Sequence, residues 1–325
     1  MTLLAVERYT GSAAGLPGSI ARQLFRRHQY PATEDAIEGF ARHRLDQLLG
    51  ADGSEALALT DGDKFRGLAV LQPLEWDSRV LGIRAGRLEL LVAGTYEERA
   101  SAATALFDAA LSAAKGHGLR HVSIRVDASE DATVHVAERL GFINVDTLLT
   151  FGARVDQIAI PAQASGISLR EAAADDAGAL GDLAADAFEH GRFHMDPVIA
   201  PETARRVYRE WAMACVRGAA ADYVAVAIDG DRCGGFVACR LAKDAAVHFG
   251  RPMSTIALIA AARDVRGRGV GPLLIGAARD WSRAHDVERL EVGTQVSNLK
   301  AARLYERCGF RLVASSVTLR MVIDA

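Results

Sequence analysis

The chain has 325 residues, half of them apolar and 24% charged, with a net charge of −3. That length suits two domains of moderate size. The near-neutral charge excludes a general attraction to nucleic acid or to an anionic membrane surface, and no run approaches the roughly 18 apolar residues of a membrane span.

The opening MTLLAVERYTGS meets Glu7 and Arg8 before any signal-peptide core can form, so a cytoplasmic location is expected. The four cysteines, Cys215, Cys233, Cys239 and Cys308, contain no CxxC pair. They are expected as small buried thiols in a reducing compartment, and no metal is expected.

An internal repeat organises the rest. An offset of 168 residues lays DGDKFRGLAV (Asp61–Val70) on DGDRCGGFVA (Asp229–Ala238). The same offset pairs Leu140-Gly141-Phe142 with Cys308-Gly309-Phe310, without a gap. Two distant anchors on one offset predict two copies of one domain. The expected division is 1–155, a Pro- and Gly-containing linker at 156–166, and 167–325.

Each copy carries the same elements in chain order. A strand, an Asp-Gly-Asp turn and a second strand form a hairpin, written YVAVAI, GDR and GGFVACRL in the second copy. An apolar strand follows, GRLELLVA in the first copy and STIALIAA in the second. Next come the long helical runs ERASAATALFDAALSAAKGHG and PLLIGAARDWSRAH. In the latter, Leu274, Ala277, Ala278 and Trp281 recur at helical spacing, which places one apolar face on a sheet. The strands HVSIRV and LEVGTQV, a short helix and a closing strand complete each copy. This order predicts an α/β class with a mixed sheet.

Between the second copy's apolar strand and its long helix lies RGRGVG, Arg266–Gly271. Glycines let a backbone approach phosphate closely, and the first amides of a helix have no internal acceptor. Pro272 is expected at the first helical position. The loop lacks the Gly-Lys-Ser/Thr ending of a P-loop, and Pro272 breaks a GxGxxG fingerprint. A plain strand-to-helix turn is the competing reading of the loop taken alone.

RGRGVG followed by SNLKAARLYERCGF resembles the acyl-CoA-binding core of the GNAT superfamily of N-acyltransferases. The family's R/Q-x-x-G-x-G/A loop and its later Asn, Tyr and Gly-Phe fall on Arg266, Gly269, Gly271, Asn298, Tyr305, Gly309 and Phe310. The resemblance implies tandem domains, each a mixed, mostly antiparallel, twisted sheet flanked by helices. It implies acetyl-CoA as cofactor, its pyrophosphate held by backbone amides at Arg266, Gly267, Arg268, Gly269, Val270 and Gly271. The strand residues Leu258, Ile259, Ala260 and Ala261 would pair with pantetheine, and Asn298 and Ala301 would lie along the cofactor arm. Tyr305 would be the general acid toward the departing thiolate, a role open to a phenol that is protonated at neutral pH. A core aromatic is the other reading of Tyr305.

In the first copy the loop reads ERASAA (Glu98–Ala103), Glu130 stands for Asn298 and Ala137 for Tyr305. That copy is expected to keep the scaffold and lose the chemistry.

On the acceptor side, PLEWDSRVLGIRAGRL (Pro73–Leu88) resembles a WDS-x-x-F-G segment with Leu81 in place of phenylalanine. HGRFHMDPVI and ARRVYREWAMACVRG resemble further segments of the same group, the sugar-nucleotide acetyltransferases related to TDP-fucosamine acetyltransferase. The group implies a small-molecule amine acceptor, the primary amine of a TDP-linked amino-deoxysugar. Arg192, Phe193, His194, Arg206 and Tyr208 supply the cations and aromatic faces that such a ligand needs. Packing competes as the reading of Arg206 and Tyr208, and is favoured for Trp211 and Trp76. The general base is left open among Glu291, His248 and a backbone carbonyl, and a homodimer is left open as well. The alternatives are a tandem acyltransferase for another amine, such as a mycothiol-synthase-like or antibiotic-modifying enzyme, and a non-catalytic acyl-CoA sensor.

Overall fold

The computed structural model describes residues 4–25, 32–161 and 166–324, and it divides into two compact units. Of the expected linker, residues 162–165 lie outside the described residues. Unit 1 comprises 1–147 with Ser315–Ala325, and unit 2 comprises Leu148–Ala314.

In the first repeat the elements are β1 (Leu4–Arg8), α1 (Gly18–Ala21), α2 (Glu34–Leu49), β2 (Glu55–Asp61), β3 (Lys64–Pro73), α3 (Glu75–Leu81), β4 (Ala85–Val92), α4 (Tyr96–Gly116), β5 (His121–Asp127), α5 (Asp131–Arg139) and β6 (Ile143–Arg154). The second repeat gives β7 (Ile167–Glu171), α6 (Ala177–Ala187), α7 (Arg192–Met195), α8 (Pro201–Val216), β8 (Tyr223–Asp229), β9 (Arg232–Leu241), α9 (Lys243–Phe249), β10 (Met253–Ala261), α10 (Val270–Ala284), β11 (Arg289–Gln295), α11 (Leu299–Arg307) and β12 (Arg311–Val322). The offset of 168 carries β2, α5 and β6 onto β8, α11 and β12 residue for residue.

The sheet of unit 1 runs β1-β2-β3-β4-β5 and ends on Ser316–Val322 of β12. The sheet of unit 2 runs β7-β8-β9-β10-β11 and ends on Leu148–Arg154 of β6. In each, one pair is parallel, β4 with β5 and β10 with β11, and the other neighbours are antiparallel. This is the mixed, mostly antiparallel sheet expected. The expected cut at 156–166 differs from the units found. The closing strand of each repeat completes the sheet of the other, so Leu148–Arg154 belong to unit 2 and Ser315–Ala325 to unit 1.

Each unit has its own apolar core. Leu106, Phe107 and Ala110 of α4 pack over β2–β5, while Leu274, Ile275 and Ala278 of α10 pack over β8–β11. Full burial of one such leucine contributes about 2 kcal/mol. The helix can lie this close because the facing strand carries glycine. A Cβ on Gly67 would meet Leu106 Cδ1 at 2.8 Å, and one on Gly235 would meet Leu274 Cδ1 at 3.2 Å. The expected face of α10 is found, with Trp281 half-buried and stacked on Tyr223 at 5.4 Å. Cys215, Cys239 and Cys308 are buried as expected, whereas Cys233 is half-buried, and all four are free thiols.

Candidate active site

In unit 2, β10 and β11 pair from Met253↔Arg289 to Ile256↔Val292, and there the ladder stops. Both strands continue, to Ala261 and Gln295. The register of β10 on β9 shifts between Ile256 and Leu258, leaving Ala257 as the extra residue. Such a bulge bends its strand and sharpens the local twist, here just where the ladder to β11 ends. The backbone groups of Leu258, Ile259, Ala260 and Ala261 on the β11 side therefore face an opening, while their other edge stays paired with β9.

Beyond β10, the chain turns through Arg263–Val265 and enters α10 at Gly269. Gly267 and Gly269 adopt φ of 83° and 84°, a left-handed conformation that glycine takes at no steric cost. No side chain caps α10. Its first internal bond runs from Leu273 N–H to Gly269 C=O at 3.1 Å, so the amides of Val270 and Gly271 lie in the first turn, where a helix has no acceptor for them. Positive dipole and open amides at the mouth of a parted sheet make an anion site continuous with a slot for an extended chain. Those features fit a pyrophosphate joined to a pantetheine arm.

Three details differ from the sequence expectation. Pro272 is the third residue of α10, not the first; its missing N–H is still one that the helix would leave unbonded. Gly271 is required by packing, because a Cβ there would meet Leu304 Cδ2 at 2.9 Å. The two arginines brace the loop through their side chains. Arg268 makes a bidentate pair with Asp229, and Arg266 donates to the carbonyls of Ala261 and Ala187 at 3.3 and 3.4 Å.

Asn298 caps α11, its Oδ1 accepting from Ala301 N–H at 3.3 Å, so the Ala301 amide is already engaged. Tyr305, one turn further on, is 2% exposed and packs against Phe151 and Phe310 with ring centroids at 5.7 and 6.0 Å. It shares the core that holds Ile256 and Val292, the last pair before the strands part. Burial pushes its phenol well above the usual value, with a smaller push from Cys308, so it stays protonated. Its hydroxyl has no hydrogen-bond partner among the described residues. Glu291 is buried on β11 and accepts from Arg289 Nε at 3.1 Å.

The acceptor-side residues divide. Tyr208 is buried and stacked between Phe188 at 4.6 Å and His194 at 5.2 Å. Arg192 lies over the Phe193 ring at 4.3 Å, and Phe193 itself is buried. His194 Nδ1 is buried with no partner among the described residues, and desolvation holds its imidazole neutral at pH 7. Arg206 is exposed on α8. The WDS segment forms α3 in unit 1, where Ser78 Oγ donates to Leu74 C=O at 2.7 Å and accepts from Ala85 N–H at 2.9 Å. Two features had no signal in the residues alone, the bulge at Ala257 and the ion pairs that fix the loop, Arg268–Asp229 and Arg263–Glu189.

The same positions in unit 1 are built differently. Residues Glu98–Ala103, which match the glycine loop, lie inside α4. Thr95 and Glu98 form a reciprocal capping box at its start, so side-chain oxygens fill the place of an anion. The position of Asn298 is Glu130, which accepts from Arg99 Nε at 3.1 Å.

Comparison with known proteins agrees with this geometry. Residues 183–310 match the acetyltransferase (GNAT) family. Spore coat polysaccharide biosynthesis protein SpsD of Bacillus subtilis is 22% identical over 283 residues, covering 86% of this chain and 91% of the relative. The dTDP-fucosamine acetyltransferase of Escherichia coli is 26% identical over 257 residues, covering 77% and 97%. A solved tandem GNAT protein from the clavulanic acid biosynthesis pathway superposes over 99% of both chains with a TM-score of 0.57 at 14% identity. The fold of the whole chain is thus similar to that of a tandem GNAT protein, and residues 183–310 match the acetyltransferase (GNAT) family.

Proposed function

We propose that the chain is an acetyl-CoA-dependent N-acetyltransferase acting by direct transfer on the primary amine of a nucleotide-linked amino-deoxysugar. One observation carries the cofactor: the uncapped N-terminus of α10, entered through Gly267 and Gly269, lies just beyond the unpaired half of β10. When bound there, acetyl-CoA would supply an acetyl thioester. The Val270 and Gly271 amides would hold its pyrophosphate, and the open backbone edge of Leu258–Ala261 would align the arm.

Tyr305 would hold its proton and present it to the sulfur. Its raised pKa matters for this role. A free thiol ionises near pH 8.5, so a phenol above 10 is a poorer acid than the thiol it would create. The phenol then acts mainly by hydrogen bonding to the sulfur as charge builds. Glu291 is tied to Arg289, and no single base is assigned.

For the acceptor, the support is the similarity to an enzyme named for fucosamine acetylation and to a protein named for polysaccharide biosynthesis. The test compares kcat/KM for a TDP-linked amino-deoxysugar with that for the free sugar. A strong preference for the conjugate is expected, and equal values for both would overturn this acceptor class.

A further inference from the structure

Unit 1 also has a parted sheet, and its mouth is charged. The β4–β5 ladder ends at Leu88↔Ile124, although the strands continue to Val92 and Asp127. The first residues beyond the last pair are Glu89 and Arg125. Their counterparts at the opening in unit 2 are the small residues Ala257 and Gly293.

Leu88 and Leu90 of β4 enter the core, which turns Arg87 and Glu89 to the opposite face. Both are half-buried, and neither makes a hydrogen bond or salt bridge among the described residues. Arg87, Arg125 and Arg44 of α2 all act electrostatically on Glu89, yet loss of water dominates and raises its pKa. The carboxyl is thus desolvated yet still partly accessible. Arg125 is oriented by its Nε–H, which donates to Thr318 Oγ1 at 3.1 Å. Three guanidiniums thus act on one carboxylate, and Arg44 also donates to Gln47 Oε1. Leaving charged groups half-buried without direct partners is costly unless a ligand completes them. Guanidiniums match phosphate oxygens in a bidentate fork.

We propose that the mouth of the β4/β5 opening is a second ligand site, for a phosphorylated small molecule. Arg87, Arg125 and Arg44 take its phosphate oxygens, and Glu89 accepts a hydrogen bond from its hydroxyl or ammonium group. The site stands without the acetyl-transfer reading. If that reading holds, the acceptor's own diphosphate is one source of the phosphate, and a free phosphate effector is the other.

Calorimetry with inorganic pyrophosphate tests it. Arg87→Ala and Arg125→Ala should each weaken a pyrophosphate site roughly 10–100-fold, the worth of one charge-assisted contact. Glu89→Gln, which keeps the shape and removes a negative charge, should tighten it. Acetyl-CoA titration should be unchanged in all three, which separates this site from α10. If the arginine variants melt early, the sign of the Glu89→Gln effect still decides. Unchanged pyrophosphate binding in Glu89→Gln and in the folded arginine variants would overturn the proposal. A raised acceptor KM with kcat kept in Arg87→Ala assigns the phosphate to the acceptor; an unchanged KM with a pyrophosphate-dependent kcat assigns it to an effector. Arg87-dependent pyrophosphate binding without acetyl transfer to any amine would remove the proposed function and leave this site standing.

Discussion

Arg268 and Asp229 face each other in a two-pronged pair, Nη1 to Oδ2 at 2.7 Å and Nη2 to Oδ1 at 2.9 Å. Asp229 ends β8 at the hairpin turn, so the pair clamps the glycine loop to the neighbouring strands. The guanidinium holds the Asp229 carboxyl below the usual carboxylate range. Exposed pairs are worth little in stability, so Arg268→Ala should barely change Tm. Acetyl-CoA affinity should fall a few-fold, roughly two- to fivefold, through a looser loop. Calorimetry on the variant checks this, and an Asp229→Asn variant should lose a similar factor.

One acetyl-CoA should bind per chain. The start of α4 is closed by the Thr95–Glu98 capping box, whereas the start of α10 has no side-chain cap. A calorimetric stoichiometry of two would contradict the difference drawn between the units.

Tyr305→Phe should lower kcat by roughly 10²–10³, the usual worth of one hydrogen-bond donor to developing charge, and leave acetyl-CoA affinity in place. The buried phenol also makes a pH signature. In the unfolded chain it ionises near pH 10, whereas in the folded chain burial keeps it protonated above that. The folded state then binds the extra proton, so stability is full below pH 10 and declines as pH rises beyond it. Denaturant melts at pH 9 and 11 should show a steeper loss for the wild type than for Tyr305→Phe.

The fragment 167–325 should fold poorly. It lacks Leu148–Arg154, which pair with the whole of β11, and it keeps a β12 segment whose partner is β5. The fragment 148–314 retains every strand of the unit 2 sheet. Circular dichroism melts should rank 148–314 above 167–325, and the reverse order would contradict the exchange.

Much of this was legible in the sequence because the repeat keeps its offset through nearly every element. DGDR and DGDK mark hairpins, and the spacing of Leu274, Ala277 and Ala278 marks the buried face of α10. The exchange of closing strands was not legible. INVDTLLTFGAR and RLVASSVTLRMV stand at the same repeat position, and periodicity cannot say which β5-type strand either one joins. Glycine content singles out the loop ahead of α10, but Gly271 has a packing reason that only Leu304 reveals. The residues alone suit Tyr208 equally to ligand or core, and only the structure shows its ring stacked with Phe188 and His194. No pattern in the residues marks the bulge at Ala257, because a bulge is a mismatch between two strands rather than a property of one.

If the amides at the start of α10 hold the cofactor's phosphates, a matched pair of variants at Gly269 will report it. Asparagine and aspartate have nearly the same shape, and both tolerate the left-handed conformation found at φ 84° better than other side chains do. They differ in charge, so strain common to both cancels. Calorimetric titration with acetyl-CoA should give Gly269→Asn an affinity near its own fold-limited value and Gly269→Asp one at least about tenfold weaker, because a carboxylate there would compete for the same amides. Equal acetyl-CoA affinity in the two folded variants would contradict the account.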